Sequence, residues 1–198
     1  MDPPVTLTQL GSLITGHGLH RDYISYSEMP ASAKLAVMAA EDQLFADHSG
    51  FDWKSIEKAM AYNKKKPDRV RGASTISQQV AKNVFLWQGR SWIRKAFETY
   101  FTFMIELVWS KKRILEMYLN VAEMGDGTFG IEAAALQHFK KPASKLTRQQ
   151  SAMIAACLPN PKKFLIAPMS RNVAARFPWI LRQMNNLQRD PDIQKILN

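Results

Sequence analysis

The sequence predicts a mainly α fold in one domain, and three observations predict it. Apolar residues recur at helical spacing in most segments from Ala31 onward. Helix-start signals such as Thr75-Ile76-Ser77-Gln78 open such segments. Pro67, the glycines at 125, 127 and 130, and Pro159 with Pro161 fall between them. With 198 residues, 46% of them hydrophobic, the chain can fill one core and has too little material for two.

Taken in order, residues 1–30 carry Pro, Gly, Ser and Thr with weak periodicity and read as an extended arm with at most a short strand. The domain proper is expected over 31–198. Its first helix starts at Ala31, carries Leu35, Met38 and Phe45, and is expected to run about four turns to His48-Ser49-Gly50. A second covers roughly Trp53 to Asn63. The run Lys64-Lys65-Lys66-Pro67-Asp68-Arg69 is a basic loop, kept out of helix by Pro67. Thr75 as N-cap and Gln78 reaching back form a capping box that opens a helix through Asn83. After a Gly-Arg-Ser turn comes a long helix, about Ser91 to Ser110, with Ile93, Phe97, Tyr100, Phe101, Met104 and Val108 on its apolar stripe. Further helices are expected over about Lys111–Glu123, Ile131–Phe139, Thr147–Cys157 and Asn172–Leu187, with a glycine loop before the second of these.

Composition limits the function. The excess of 27 Lys and Arg over 17 Asp and Glu favours anionic partners: nucleic acid, acidic lipid headgroups or phosphorylated substrates. Cys157 is the only cysteine, so there is no disulfide framework, and its apolar surroundings mark it as a core residue. The longest nearly apolar stretch, Tyr100 to Trp109, contains Glu106 and is about half the length a bilayer needs. Met1-Asp2-Pro3-Pro4 reads as a boundary from which an anchor has been removed.

Several familiar motifs are excluded. Gly125-Asp126-Gly127-Thr128-Phe129-Gly130 matches the GxGxxG pattern, but follows a helical segment where a dinucleotide site needs a buried strand. His17, His20, His48 and His138 are too dispersed for a zinc site. No helix-turn-helix, RRM or KH signature accompanies the basic charge, so nucleic acid is not expected as a partner.

The segment Glu41-Asp42-Gln43-Leu44-Phe45-Ala46-Asp47-His48-Ser49-Gly50 stands apart. A carboxylate near the end of an Ala-rich apolar helix is at risk of desolvation, which raises its pKa and suits it to proton transfer. The same two acids could equally be surface groups. Arg94 and Lys95 with Glu98 could be a helix-face ion pair, or cations converging on a diphosphate.

Four segments in order resemble the signatures of glycosyltransferase family 51, the peptidoglycan glycosyltransferases. They are Glu41-Asp42-x-x-Phe45-x-x-His48-x-Gly50; Gly72-Ala73-Ser74-Thr75-Ile76-Ser77-Gln78-Gln79-x-x-Lys82-Asn83; Arg94-Lys95-x-x-Glu98; and Lys111-x-x-Ile114-Leu115-Glu116-x-Tyr118-Leu119-Asn120. Phe129-Gly130-Ile131-Glu132-Ala133-Ala134 and Leu158-Pro159-Asn160-Pro161 are similar to later stretches. The likeness spans about residues 23–188 and leaves no room for a second catalytic domain, as in the monofunctional members. One departure is His138-Phe139-Lys140-Lys141, where the family often has Tyr-Phe-Gly-Lys.

The resemblance implies a lysozyme-like helical lobe with a small, membrane-proximal jaw. It implies polymerisation of lipid II into β-1,4 glycan with inversion and release of polyprenyl diphosphate. Glu41 would be the catalytic base and Glu98 a second catalytic residue that orders the cations or helps to bind a divalent ion, Mg2+ by family expectation. Lys82, Arg94 and Lys95 would hold the diphosphate. Ser74, Thr75, Gln78, Gln79 and Asn83 would hydrogen-bond sugar or phosphate, although Thr75 and Gln78 could serve mainly as a cap. The wider binding set takes in Lys111, Asp42, Phe45 and His48, the last three of which shape the first motif, and Glu116, which supports the cleft.

Phe85, Leu86, Trp87, Trp92 and Ile93 would dip into lipid. The implied setting is the outer face of the bacterial cytoplasmic membrane, on a single-pass anchor, within a cell-wall synthesis complex. A lysozyme-like glycan hydrolase is the alternative, and it would need a second carboxylate across the cleft.

Overall fold

The computed structural model describes residues 5–68, 72–89 and 91–198. Arg69 of the basic loop, Arg90 of the Gly-Arg-Ser turn and the opening Met1-Asp2-Pro3-Pro4 lie outside the described residues. Within them the chain is mainly helical, as the sequence predicts: α1 (Leu7–Ile14), α2 (Ala31–Glu41), α3 (Trp53–Lys65), α4 (Ile76–Phe85), α5 (Trp92–Val108), α6 (Lys111–Val121), α7 (Ile131–Phe139), α8 (Arg148–Cys157), α9 (Arg171–Leu187) and α10 (Pro191–Leu197). A small sheet joins β1 (His20–Arg21), β2 (Glu123–Gly125) and β3 (Thr128–Phe129).

Helix α2 is the central rod. Residues from Ala33 to Ala39 along it are buried, and it packs against α8 and α9. Small side chains on both partners, such as Ala36 and Ala39 on α2 and Ala152, Ala155 and Ala156 on α8, let the backbones approach closely. Ser32 and Ser151 hydroxyls meet at 2.9 Å across this seam. Helix α4 packs between α5 and α6, and Ile114, Leu115, Tyr118 and Leu119 of α6 close the core beneath it.

Four expectations are corrected. The arm is not wholly extended, because Thr6 and Gln9 form a capping box that starts α1. The helix from Ala31 stops at Glu41 instead of reaching His48. Asp42 leaves helical geometry at φ −159° and ψ 81°, because its carboxylate accepts the backbone N–H of Ile76. Residues 123–129 form a hairpin instead of a plain glycine loop, and β1 pairs with it in parallel, His20 opposite Thr128. That pairing is non-local and leaves no alternating pattern to read. Finally, the stripe on α5 meets the core only at Phe101 and lies mostly outside it. Phe97, Tyr100, Phe103, Leu107 and Val108 are exposed, and only Glu98, Thr102 and Ile105 are buried. A short 3-10 turn at Ala143–Lys145 and helix α10 were not anticipated.

Candidate active site

The C-terminal end of α2 and the N-terminal end of α4 meet at the first and second motifs, through buried hydrogen bonds. Asp42 takes the Ile76 N–H at 2.9 Å and the His48 ring at 2.9 Å. His48 Nδ1 accepts from Gly50 N at 3.1 Å, which leaves Nε2 as the donor to Asp42. Thr75 donates its hydroxyl to Gly50 O at 2.7 Å and caps α4, with Gln78 completing the capping box. Gly50 sits at φ +88°, and a Cβ there would stand 2.8 Å from Thr102 Cγ2, so only glycine fits. Lys111 donates to His48 O at 2.6 Å and to Glu106 at 2.7 Å, with its ammonium over the Phe45 ring.

These contacts sort the sequence-derived candidates. Phe45 is fully buried, and His48 and Lys111 are consumed in holding the turn, so they reach no cleft lining among the described residues. Glu116 likewise serves the scaffold: it accepts from Tyr26 N at 3.0 Å and from Arg113 at 2.6 Å. Gln78 is buried in its cap. Sequence motifs group residues by recurrence, and recurrence cannot separate a residue that touches substrate from one that shapes the wall.

Of the remaining candidates, Glu41, Asp42, Ser74, Thr75, Gln79, Lys82 and Asn83 line two clefts, whereas Arg94, Lys95 and Glu98 line neither. The larger, of 1110 Å³, is bounded by Glu41, Asp42, Ser74, Thr75, Gln79 and Arg176, with residues of α3 on the opposite wall. The second, of 540 Å³, is bounded by Gln79, Lys82, Asn83 and Tyr118, facing α1 and Glu123, Pro159 and Lys162. Gln79 and Pro159 belong to both.

Glu41 keeps 14% of its side-chain surface. Gln79 Nε2 donates to its Oε2 at 3.0 Å, and Arg176 lies 3.1 Å from its Oε1. Gln79 is itself held by the hydroxyl of Tyr118 at 3.1 Å. Burial raises the Glu41 pKa above the usual carboxylate range. The Gln79 hydrogen bond and the charges of Arg176 and Lys82 pull it back, while Asp42 pushes it up.

Lys82 feels both Glu41 and the charges of the third motif electrostatically. Among the described residues no carboxylate lies within salt-bridge distance of its ammonium. Burial lowers its pKa, opposed first by Glu98. Glu98 is buried at 5% side-chain exposure; it takes Arg94 Nη1 at 2.9 Å on one oxygen and Lys95 on the other. Three cations against this one carboxylate leave a local surplus of two positive charges.

That arrangement does not fit Glu98 as a metal ligand. Both its oxygens are engaged by cations, and no group of three or more His, Cys, Asp or Glu side chains gathers for an ion among the described residues. No step below is routed through a metal. His138 lies away from both clefts, packed near Gly125 of the hairpin, and burial lowers its pKa.

Sequence reasoning missed Arg176, which is 135 residues from Glu41 and carries no local signal. Tyr118 was visible in the fourth motif but not as the support of Gln79. Thr8, Ser12 and His17 line the second cleft from a segment read as an arm.

Comparison with known proteins shows the family of the chain. A family model described as Transglycosylase matches residues 8–185. Proteins called biosynthetic peptidoglycan transglycosylase from Escherichia coli, Shigella boydii serotype 4 and Shigella sonnei are each 57% identical over 176 residues, which is 89% of this chain and 73% of theirs.

Proposed function

The chain belongs to the transglycosylase family, and on that premise we propose that it is a peptidoglycan glycosyltransferase that polymerises lipid II, with Glu41 as the base. The acceptor 4-hydroxyl gives its proton to Glu41 while its oxygen attacks the anomeric carbon of an α-linked donor. The bond from that carbon to the polyprenyl diphosphate breaks, and the leaving oxygen takes the electron pair. In-line attack inverts the centre, so the glycan is β-1,4. Diphosphate leaves without protonation, so the reaction needs stabilisation of growing negative charge.

The observation that carries this reading is one partly desolvated carboxylate in a large cleft beside surplus positive charge. Burial makes Glu41 a stronger base than a free carboxylate. Lys82, with Arg94 and Lys95 behind it, supplies charge for the diphosphate, and Asn83 and Ser74 offer hydrogen bonds. Two clefts meeting at Gln79 suit a reaction that joins two lipid-linked sugars.

The setting is the outer face of the bacterial cytoplasmic membrane, with a single-pass anchor. No helix among the described residues is long and apolar enough to cross a membrane. The outward apolar side chains of α5 support docking into lipid: Trp92 is 92% exposed, Ile93 69% and Leu107 70%. Phe85 and Trp87 add to them, whereas Leu86 is buried.

The test is polymerisation of lipid II by the parent and by Glu41→Gln. Long glycan from the parent and almost none from the variant is the expected result; equal activity would remove Glu41 from its role. Cleavage of polymeric peptidoglycan by the parent would favour the hydrolase alternative. Against that alternative, Asp42 and Asp52, the other acids lining the larger cleft, are already engaged with the Ile76 and Ser55 backbone N–H groups.

A further inference from the structure

Helix α2 ends on Glu41, so the carbonyl of Ala40 is among the last-turn carbonyls with no partner inside the helix. The aligned peptide dipoles also place negative potential at this end, which disfavours an ionised carboxylate there. One side chain from a distant helix answers both. Arg176 of α9 reaches over the end of α2, and its Nη2 donates to Ala40 O at 2.9 Å and to Glu41 Oε1 at 3.1 Å. Its Nε is buried without a hydrogen-bond partner, a cost that surface placement of the guanidinium would avoid. The opposite oxygen of Glu41 is fixed by Gln79.

We propose that Arg176 is a positioning residue for the base: it fixes the Glu41 carboxylate to the end of α2 and keeps it ionised for proton abstraction. This rests on Glu41 being the base, as read above. The charged and titratable groups facing Glu41 are Asp42 beside it, Lys82 on α4, Tyr118 on α6 and Arg176 on α9. Tyr118 stays neutral, because burial raises its pKa well above the ordinary value. Of the two cations, only Arg176 is in hydrogen-bond contact with the carboxylate. Arg176 and Lys82 both lower the Glu41 pKa against burial and Asp42.

The sign of the effect follows. A base acts in its ionised form, so kcat/KM falls as pH drops below its pKa. Removing the Arg176 charge raises that pKa and moves the acid limb to higher pH.

The experiment measures kcat/KM for lipid II polymerisation against pH with the parent, Arg176→Gln, Arg176→Lys and Glu41→Gln. For Arg176→Gln the expected result is an acid limb about one pH unit higher, with a loss that approaches about tenfold at pH below the parent's limb and shrinks as pH rises. Arg176→Lys, which keeps a cation, is expected to restore most of the limb. Circular dichroism and thermal melting establish that the variants fold; should Arg176→Gln fail to, Arg176→Met takes its place in the comparison, and an acid limb for it at or below that of the parent overturns the proposal. A pH-independent loss in Arg176→Gln that Lys does not restore also overturns it, because a residue that only capped α2 would behave so. Active Glu41→Gln would sink the underlying reading first. Inactive Glu41→Gln with an unmoved limb in Arg176→Gln would sink the role of Arg176 alone.

Discussion

Helices α2 and α5 both carry long apolar stretches in sequence, yet they end in opposite surroundings. Helix α2 is buried along its length and closes on a polar junction in which Asp42, His48, Thr75 and Gln79 are all hydrogen-bonded. Helix α5 turns Glu98 and Thr102 inward and leaves aromatic and aliphatic side chains outside. Apolar periodicity therefore establishes that a helix has an apolar face without establishing what covers it. On α2 the cover is protein, and the polar groups at its end are locked. On α5 the inward groups are Glu98, Thr102 and Ile105, with Phe101 against the core, and the other apolar side chains are left for something else.

The sharpest way to break this contrast is at the locked end. Glu41→Gln should cut lipid II polymerisation by about a thousandfold, since a general base contributes on the order of that factor. A loss of less than about tenfold would mean that the buried end of α2 is scaffold only. Next in size is Asp42→Ala, which strands the buried Ile76 N–H and the His48 ring. It should destabilise the fold by about 3 kcal/mol in urea unfolding. A third comparison uses the other helix. Replacing Trp92 and Ile93 together with serine should weaken binding to vesicles of anionic phospholipid by about tenfold or more, while stability changes by less than about 0.5 kcal/mol. Loss of stability instead would mean that these side chains are covered by protein.

A smaller effect is expected at Thr75→Ala, which removes a helix cap and the bond to Gly50 O. Its cost should be about 1–2 kcal/mol in the same unfolding assay. The last prediction is signed and not sized. Because burial raises the folded-state pKa of Glu41, the native state holds that proton more tightly than the unfolded chain. The stability this gives is fully present below the unfolded carboxylate pKa and is lost as pH rises through the folded value. Glu41→Gln should therefore be more stable than the parent at neutral pH, with the gap closing in acid. A gap that is constant with pH would contradict a raised pKa.

Much of the helical framework was legible in the sequence because its signals are local. Thr75 with Gln78, Ser91 and Thr147 cap the helices they precede, and α6, α7, α8 and α9 begin and end close to the expected residues. What was not legible depends on contacts distant in the chain. The stop at Asp42 is set by a backbone N–H 34 residues later. The sheet pairs His20 with a hairpin more than a hundred residues on, and two-residue strands carry no period. In the site, the motif order led to Glu41, Gln79 and Lys82, but motif membership also carried along Phe45, Lys111 and Glu116, which hold the walls. Arg176 was invisible, because an arginine on an amphipathic helix reads as a solvated face until the fold brings it to Ala40 O.

The hairpin tip has a mechanical meaning. Gly127 sits at φ +62°, and a methyl group on it would come within 2.0 Å of His17 O. His17 and Asp126 pair at 2.7 Å across the same junction. The turn after α1 is thus wedged against the rim that carries Glu123, so α1 behaves as a strut instead of a slack leash. A tug on the chain ahead of α1 would be handed straight to one wall of the second cleft, and the missing methyl is what keeps that linkage stiff.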